Sequence, residues 1–364
     1  MTPSPSRFAF YMAGLQVTIN GRIGVTAEDP ASCTFKYNGN MPLTITEVFG
    51  YSPDDQSPLV KEIRTAGTCP FTSKRCIKTF RDSGVLHGTC TVKTPSDEEV
   101  ICCPKRLYAE KYRILTDVAL EAFGPELEAV IPPSEVEESK GQKGRAVAFG
   151  SGWGKELRVP KSGDQKGSYS ADWILALISE ANELIEFVAL EVQSMDTTGD
   201  YQPEWCSQMG VPYTPYVAKK KKKKSSNINW ENVNKRIIPQ LLTKGNVFQR
   251  ENLCRKGMFF VTPTPVYKRV IGRLGTKLSE FPLQPSGLTF RYYGLKPSSA
   301  PATIRELAYE GQYTTTVENL KEAFNSTLNL PPMNSITAKI QKALQSPKKL
   351  KQKPNEEKET SISG

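Results

Sequence analysis

Two apolar runs, Trp173 to Ile178 and Phe187 to Leu190, lie close together in the chain, and each has an acid at one end. Both read as strands. Asp172 precedes the first, and Glu191-Val192-Gln193 closes the second. Side chains of an extended strand alternate between faces, so Glu191 and Gln193 point to one side while Leu190 and Val192 point to the other. Carboxylates that converge at the edge of a sheet repel each other unless a cation lies between them, and hard oxygen ligands select a hard ion such as Mg2+. The pattern therefore predicts a metal site suited to phosphate chemistry, against the plainer reading of a solvated strand end.

A chain of 364 residues can bury a substantial core, and its 38% hydrophobic and 24% charged residues are near the globular average. No stretch approaches the length of apolar sequence that a membrane span needs. Met1 to Gly14 lacks a basic segment followed by an apolar core, so the expectation is a soluble, cytoplasmic protein. The net charge of +10 is concentrated. Lys219 to Lys224 form one unbroken run, and Lys348, Lys349, Lys351 and Lys353 lie near the end. Such runs neutralise phosphates and release counterions, which points to a polyanionic partner.

Four of the eight cysteines, Cys69, Cys76, Cys90 and Cys103, fall within 35 residues. In a cytoplasmic chain such a cluster suits metal, because four thiolates form the tetrahedral sulfur cage favoured by zinc or iron. Pro70 and Pro104 stiffen the chain beside two of the candidate ligands. Cys102 competes with Cys103 for the fourth place. Cys33, Cys206 and Cys254 stand apart and read as small buried apolar groups.

Absences narrow the chemistry. His87 is the single histidine, which excludes histidine-dependent nucleases, Ser-His-Asp hydrolases and zinc hydrolases held by several histidines. It reads as a solvated loop residue or a fallback ligand of the cysteine cluster. No G-x-x-x-x-G-K-[ST] pattern supports nucleotide hydrolysis.

The organisation follows. Residues 1–60 hold short strand-like segments such as Leu15 to Ile19 and Leu43 to Val48, and residues 61–107 form the cysteine module. Residues 108–345 form the main domain, with a Lys-rich loop at 218–226, and 346–364 is a basic, polar tail expected to be disordered. In the main domain a helix carries Leu115, Val118, Leu120, Ala122 and Phe123. After Pro132-Pro133 comes a polar linker to about residue 144, and Arg145 to Phe149 starts a strand. Glu156, Asp172 and Glu191 fall on or beside three successive strands. Trp230, Val233, Ile237 and Leu241 recur at helical spacing, with Pro239 expected to kink or end that helix and Lys235 and Arg236 on a side that could face DNA. Thr315 and Glu318 make a capping-box pattern before Leu320 and Phe324, and Ser335 opens a last helix with Ile336, Ile340 and Leu344. The expected class is α/β (α+β), a mixed central sheet flanked by helices.

Thr68-Cys69-Pro70-Phe71, Cys76, Gly88-Thr89-Cys90 and Cys103-Pro104, followed by Lys155-Glu156-Leu157, Asp172-Trp173 and Glu191-Val192-Gln193-Ser194-Met195-Asp196, resemble the NotI restriction endonuclease family. Gly199-Asp200-Tyr201 and Asn232-Val233-Asn234-Lys235-Arg236 extend the likeness, which spans about residues 65 to 275. The resemblance implies a PD-(D/E)xK nuclease core with an added four-cysteine module that holds iron, with zinc as the alternative. It further implies a homodimer acting on palindromic double-stranded DNA in a type II restriction-modification system, beside a cognate DNA methyltransferase. Carried over by position, Cys69, Cys76, Cys90 and Cys103 are the module's ligands, and Asp172, Glu191 and Gln193 are the nuclease triad.

Ala171 stands where the motif has Pro, and Gln193 where it usually has Lys, the second departure being shared with the NotI-like pattern. On this reading Asp172, Glu191 and the Val192 carbonyl hold Mg2+, Gln193 orients the attacking water, and Glu156 completes a second cation position or binds a metal-held water. The competing reading is a non-catalytic DNA-binding regulator with a four-cysteine metal module.

Overall fold

The computed structural model describes residues 43–80, 83–96, 98–160, 168–198, 201–212, 226–275, 278–297, 300–326 and 332–345. All belong to one compact unit, Asn40–Gly364. The expected strand at Leu15 to Ile19, Cys33, the lysines 219–224 and the tail 346–364 lie outside the described residues.

A three-stranded antiparallel sheet comes first: β1 (Thr44–Val48), then helix α1 (Pro58–Ala66), then β2 (Thr89–Lys93) and β3 (Glu99–Ile101), in the order β1-β2-β3. The strand expected at Leu43 to Val48 thus pairs with a strand of the cysteine module, so the boundary drawn at residue 60 falls between paired strands. Helix α2 (Ala109–Phe123) leads into the large sheet.

That sheet is built from β4 (Ala129–Ile131), β5 (Arg145–Gly150), β8 (Trp173–Ile178), β9 (Leu184–Val192), β12 (Met258–Pro263), β13 (Gly287–Leu295) and β14 (Leu307–Thr316). Two short antiparallel pairs, β6 (Val159–Pro160) with β7 (Ser168–Tyr169) and β10 (Thr197–Thr198) with β11 (Asn227–Ile228), lie in sequence between β5 and β8 and between β9 and β12. The order is β14-β13-β12-β9-β8-β5-β4. β5, β8 and β9 form an antiparallel meander, whereas β12 runs parallel to both β9 and β13. A parallel pair needs a crossover, and α4 (Ile238–Phe248) supplies it between β9 and β12 after the short helix α3 (Gln202–Met209). α5 (Thr264–Leu274), α6 (Val317–Asn325) and α7 (Ser335–Gln345) complete the described helices. The architecture is a mixed α/β sheet flanked by helices. Among the described residues no helix is long and apolar enough to cross a membrane.

Alternation along the strands divides the core between two faces. Trp173, Leu175, Val188, Leu190, Val192, Phe259 and Val261 pack with Ile114, Leu115 and Val118 of α2. Ile174, Ala189, Met258 and Phe260 pack instead with Ile238 and Leu241 of α4, Val266 and Val270 of α5, and Leu320 of α6. Within α2, Leu115, Val118 and Ala122 are buried, but Leu120 is 42% exposed because it falls on the helix's outer side.

Other expectations need correction. The segment between Pro132 and Gly144 is no free linker. Fully buried Arg145 donates to Gln142 O (2.8 Å), Ser139 Oγ (3.0 Å), Asn182 Oδ1 (3.0 Å) and Ser179 O (2.7 Å), which ties it to the β8–β9 turn. Pro239 does not end its helix. A π-helical turn, Val233–Ile237, precedes it and α4 runs on to Phe248, the wider turn accommodating a residue with no N–H to give. At α6 the cap is Thr316, whose Oγ1 accepts the Asn319 N–H at 3.1 Å, one residue later than the Thr315/Glu318 pattern suggests. On α7 the stripe Ile336, Ile340 and Leu344 is exposed.

Candidate active site

The antiparallel register of β8 and β9 pairs Trp173 with Leu190 and Ile174 with Ala189. Extended by one position, that register sets Asp172 opposite Glu191. Trp173 faces α2, so its neighbour Asp172 belongs to the other face, the one that carries Glu191. The Val192 N–H donates to Asp172 Oδ2 at 2.9 Å and fixes this carboxylate against the strand beside it. Gly150 on β5 allows the close approach, since a Cβ there would strike the Trp173 ring and come within 2.6 Å of the Asp172 carbonyl.

Burial sets the electrostatics. Glu191 is 7% exposed, and desolvation pushes its carboxyl up to about 7, with the negative charge of Asp172 as the next cause. Lys244 on α4 opposes that rise: its Nζ lies 2.6 Å from both Glu191 oxygens. Asp172 is also raised, first by desolvation and further by Glu156, against the Val192 N–H, Lys244 and Lys105. Two facing acids, each harder to ionise than in water, constitute a local excess of negative charge that a divalent cation would relieve. The donor set of Asp172, Glu191 and the Val192 carbonyl is all oxygen and fits Mg2+.

Gln193 follows in the same strand direction. Its N–H donates to Val261 O at 3.0 Å, and its carbonyl accepts Thr262 Oγ1 at 2.9 Å, so the backbone is pinned to β12 while the side chain stays half-buried. Glu156 sits in the segment between β5 and β6, not on a strand, and pairs at 3.7 Å with Arg158. Its field still reaches Asp172.

Backbone hydrogen bonds place the four cysteines of the module in two pairs. A turn closed by Cys69 N to Lys74 O (2.7 Å) and Cys76 N to Gly67 O (2.9 Å) holds the first two, and Cys103 N to Cys90 O (3.2 Å) holds the others. Cys69, Cys76 and Cys103 line one cavity of about 200 Å³ with Lys74, Arg75 and Lys105. Cys90 belongs to the same buried cluster as Cys69 and Cys103. Cys102 faces away, packed with Ile45, Val92 and Val100, its thiol pushed up to about 12 by burial. Its neighbour Cys103 is the one that lines the cavity with Cys69 and Cys76. Gly88 lets the module close, for it has φ +62° and a Cβ there would overlap the Phe49 ring.

Burial also raises the Cys76, Cys90 and Cys103 thiols, with neighbouring cysteines adding to the rise. Exposed Lys74 and Arg75, half-buried Lys105 and the more deeply buried Lys78, which donates to Cys102 O at 2.8 Å, offer positive charge that would balance a thiolate cage. This chemistry fits a soft or borderline metal such as iron or zinc. Among the described residues, no group of three or more His, Cys, Asp or Glu side chains is by itself arranged as a metal-ligand set.

His87 is not solvated. It is 3% exposed and stacked near Phe80, its Nδ1 accepts the Thr89 N–H at 3.1 Å, and Tyr201 OH lies 3.2 Å from Nε2. It links the module to α3, whose Trp205 Nε1 donates to the His87 carbonyl at 2.9 Å. Cys206 and Cys254 are buried, as expected.

Sequence reading missed Lys244 and Lys105. The one available signal was Gln193 itself, since a motif short of its lysine leaves a positive charge to be found elsewhere. In comparisons with known proteins, the chain matches no family model and no curated protein.

Proposed function

We propose that this chain is a type II restriction endonuclease that makes Mg2+-dependent double-strand cuts at a specific palindromic DNA sequence, as a homodimer with a PD-(D/E)xK core. The observation that carries the reading is the opposition of Asp172 and Glu191 at one end of the central sheet, both buried and both raised. The mixed sheet between helical layers agrees with such a core.

Asp172 and Glu191, with the Val192 carbonyl, would hold the ion. When bound, Mg2+ neutralises charge on the scissile phosphate and makes water a stronger acid. Gln193 orients the attacking water by hydrogen bonding, having no charge of its own. The water oxygen bonds to phosphorus in line as the bond to the leaving sugar oxygen breaks, and that oxygen ends protonated. Lys105, beside Asp172, meets the DNA backbone. In the cysteine module, Cys69, Cys76, Cys90 and Cys103 would hold iron, or zinc in its place. A cognate methyltransferase would protect the host's own sites.

Digestion of large unmethylated genomic DNA with Mg2+, beside EDTA and Glu191→Ala, tests the reading. Discrete fragments lost in both controls support it. DNA that is bound but left intact under all conditions overturns it in favour of a DNA-binding regulator, in which the opposed carboxylates have no task.

A further inference from the structure

The contact between Lys244 and Glu191 joins two elements far apart in sequence, and it is the shortest ionic approach in the site. Nζ is 2.6 Å from each carboxylate oxygen, and the lysine side chain is 19% exposed against 9% for the glutamate. Lys244 lies one helical step from Leu241 and beside Gly245, both buried in the core that α4 shares with the sheet. Gly245 has room for no side chain, because a Cβ there would press on Val317 of α6. α4 is thereby seated close against α6, and the Lys244 ammonium reaches Glu191 on β9 from it.

We propose that Lys244 supplies the positive charge that Gln193 lacks, as an exchangeable cation of the site. It occupies Glu191 when no metal is bound and turns to the scissile phosphate when one is. This rests on the nuclease reading above.

The argument is one of available oxygens. Asp172 Oδ2 is committed to the Val192 N–H, and both Glu191 oxygens are committed to the ammonium. A divalent ion shared by the two acids would bind a Glu191 oxygen that already accepts from Lys244, and the repulsion between two cations on one carboxylate drives the ammonium off. A lysine can yield that oxygen, because its charge sits on a flexible four-carbon stem with three rotatable donors, whereas a guanidinium would hold its fork geometry. The groups facing this pair are Asp172, Glu156 and Lys105. Once a divalent ion offsets the acids, the displaced ammonium remains within reach of the same small volume, where the phosphate brings new negative charge. No proton transfer is asked of it.

Two readouts on the full chain test this, with Lys244→Met, Lys244→Arg and Glu191→Gln as variants. The first is Mn2+ binding without DNA, followed by the resonance of free Mn2+. Lys244→Met removes the internal competitor and should tighten Mn2+ roughly tenfold, while Glu191→Gln should abolish the site. Unchanged or weaker binding in Lys244→Met overturns the exchange. The second is single-turnover cleavage at saturating Mg2+. Lys244→Met should lose about 100-fold in the cleavage step with DNA affinity little changed, and Lys244→Arg should regain part of it. Wild-type cleavage in Lys244→Met overturns the role at phosphate and leaves the nuclease reading standing. A wild-type chain that binds Mn2+ but cuts no DNA overturns that reading, and with it the role at phosphate. If Lys244→Met fails to fold, Lys244→Gln takes its place in both arms.

Discussion

The Val192 N–H donates to Asp172 Oδ2 across 2.9 Å, so the strand that carries Glu191 also holds the acid opposite it. Asn offers the same acceptor without the charge. Asp172→Asn should therefore keep the strand ends together and remove the repulsion and desolvation that raise Asp172 and Glu191. We expect an inactive protein that melts at or above the wild-type temperature at pH 8 in EDTA. Calorimetry beside a cleavage assay checks both parts, and a clear loss of stability would contradict them.

Buried His87 gives the protein an acid limit. Desolvation, helped by Lys78, pushes its imidazole from 6.5 down to about 3. A folded-state value below the unfolded one means that the unfolded chain binds the proton first as pH falls. The stability is then present above about pH 6.5 and is lost on the way down to pH 3, by about 1.4 kcal/mol for each unit. Glu191, raised, acts in the opposite sense and costs stability as pH rises toward 7. The difference between wild type and His87→Asn isolates the histidine. Urea melts from pH 7 to pH 4 should show the gap between the two closing as pH falls, and a constant gap would refute the assignment.

The carboxylate pair was legible in the sequence because it rests on local rules. Alternation sends Leu190 and Val192 to α2 and Glu191 to α4, and an antiparallel hairpin between two apolar runs leaves little choice of partner. Lys244 was not legible, since its approach depends on how α4 crosses the sheet, and its spacing from Leu241 reads equally well as a solvated edge. The same holds for His87. Gly84 and Gly88 around it read as a loop, and its burial is completed by Trp205 and Tyr201, more than a hundred residues away. Cys102 and Cys103 could not be separated before the backbone was known, because adjacent residues differ only in which core they enter. The exposed stripe of α7 shows the converse: Ile336, Ile340 and Leu344 have the period of a packed helix and remain in solvent.

Glu47 on β1 and Arg106 in the turn between β3 and α2 form a buried pair, which Arg305, just before β14, joins. Arg106 is fully buried, its Nε lies 2.8 Å from Glu47 Oε2, and Glu47 also accepts Thr91 Oγ1 at 2.6 Å and Arg305 Nε at 3.1 Å. Glu47 keeps Arg305 when Arg106 is lost, but removing Glu47 strands the fully buried Arg106 charge, so Glu47→Ala should cost about 3–5 kcal/mol. Replacing both at once, Arg106→Met with Glu47→Leu, should restore most of that loss even though more hydrogen bonds disappear. Denaturant midpoints of the single and double variants decide it.

The cysteine module makes the sharpest contrast between neighbours. Both Cys102 and Cys103 donate through their backbone to Cys90 O, but Cys103 lines a cavity with Cys69 and Cys76 while Cys102 is packed among Ile45, Val92 and Val100. If the four thiolates hold iron or zinc, the metal contributes to folding, since the ligands are not preassembled in the unfolded chain. Cys103→Ser should then purify with little metal and melt well below wild type, and chelator should lower the wild-type melt toward it. Cys102→Ser should keep its metal and lose only the cost of a hydroxyl in an apolar wall, about 1–3 kcal/mol. Elemental analysis by mass spectrometry of both variants reads the outcome. Equal metal content in the two would remove Cys103 from the ligand set, because no other property of these adjacent thiols predicts a difference in bound metal.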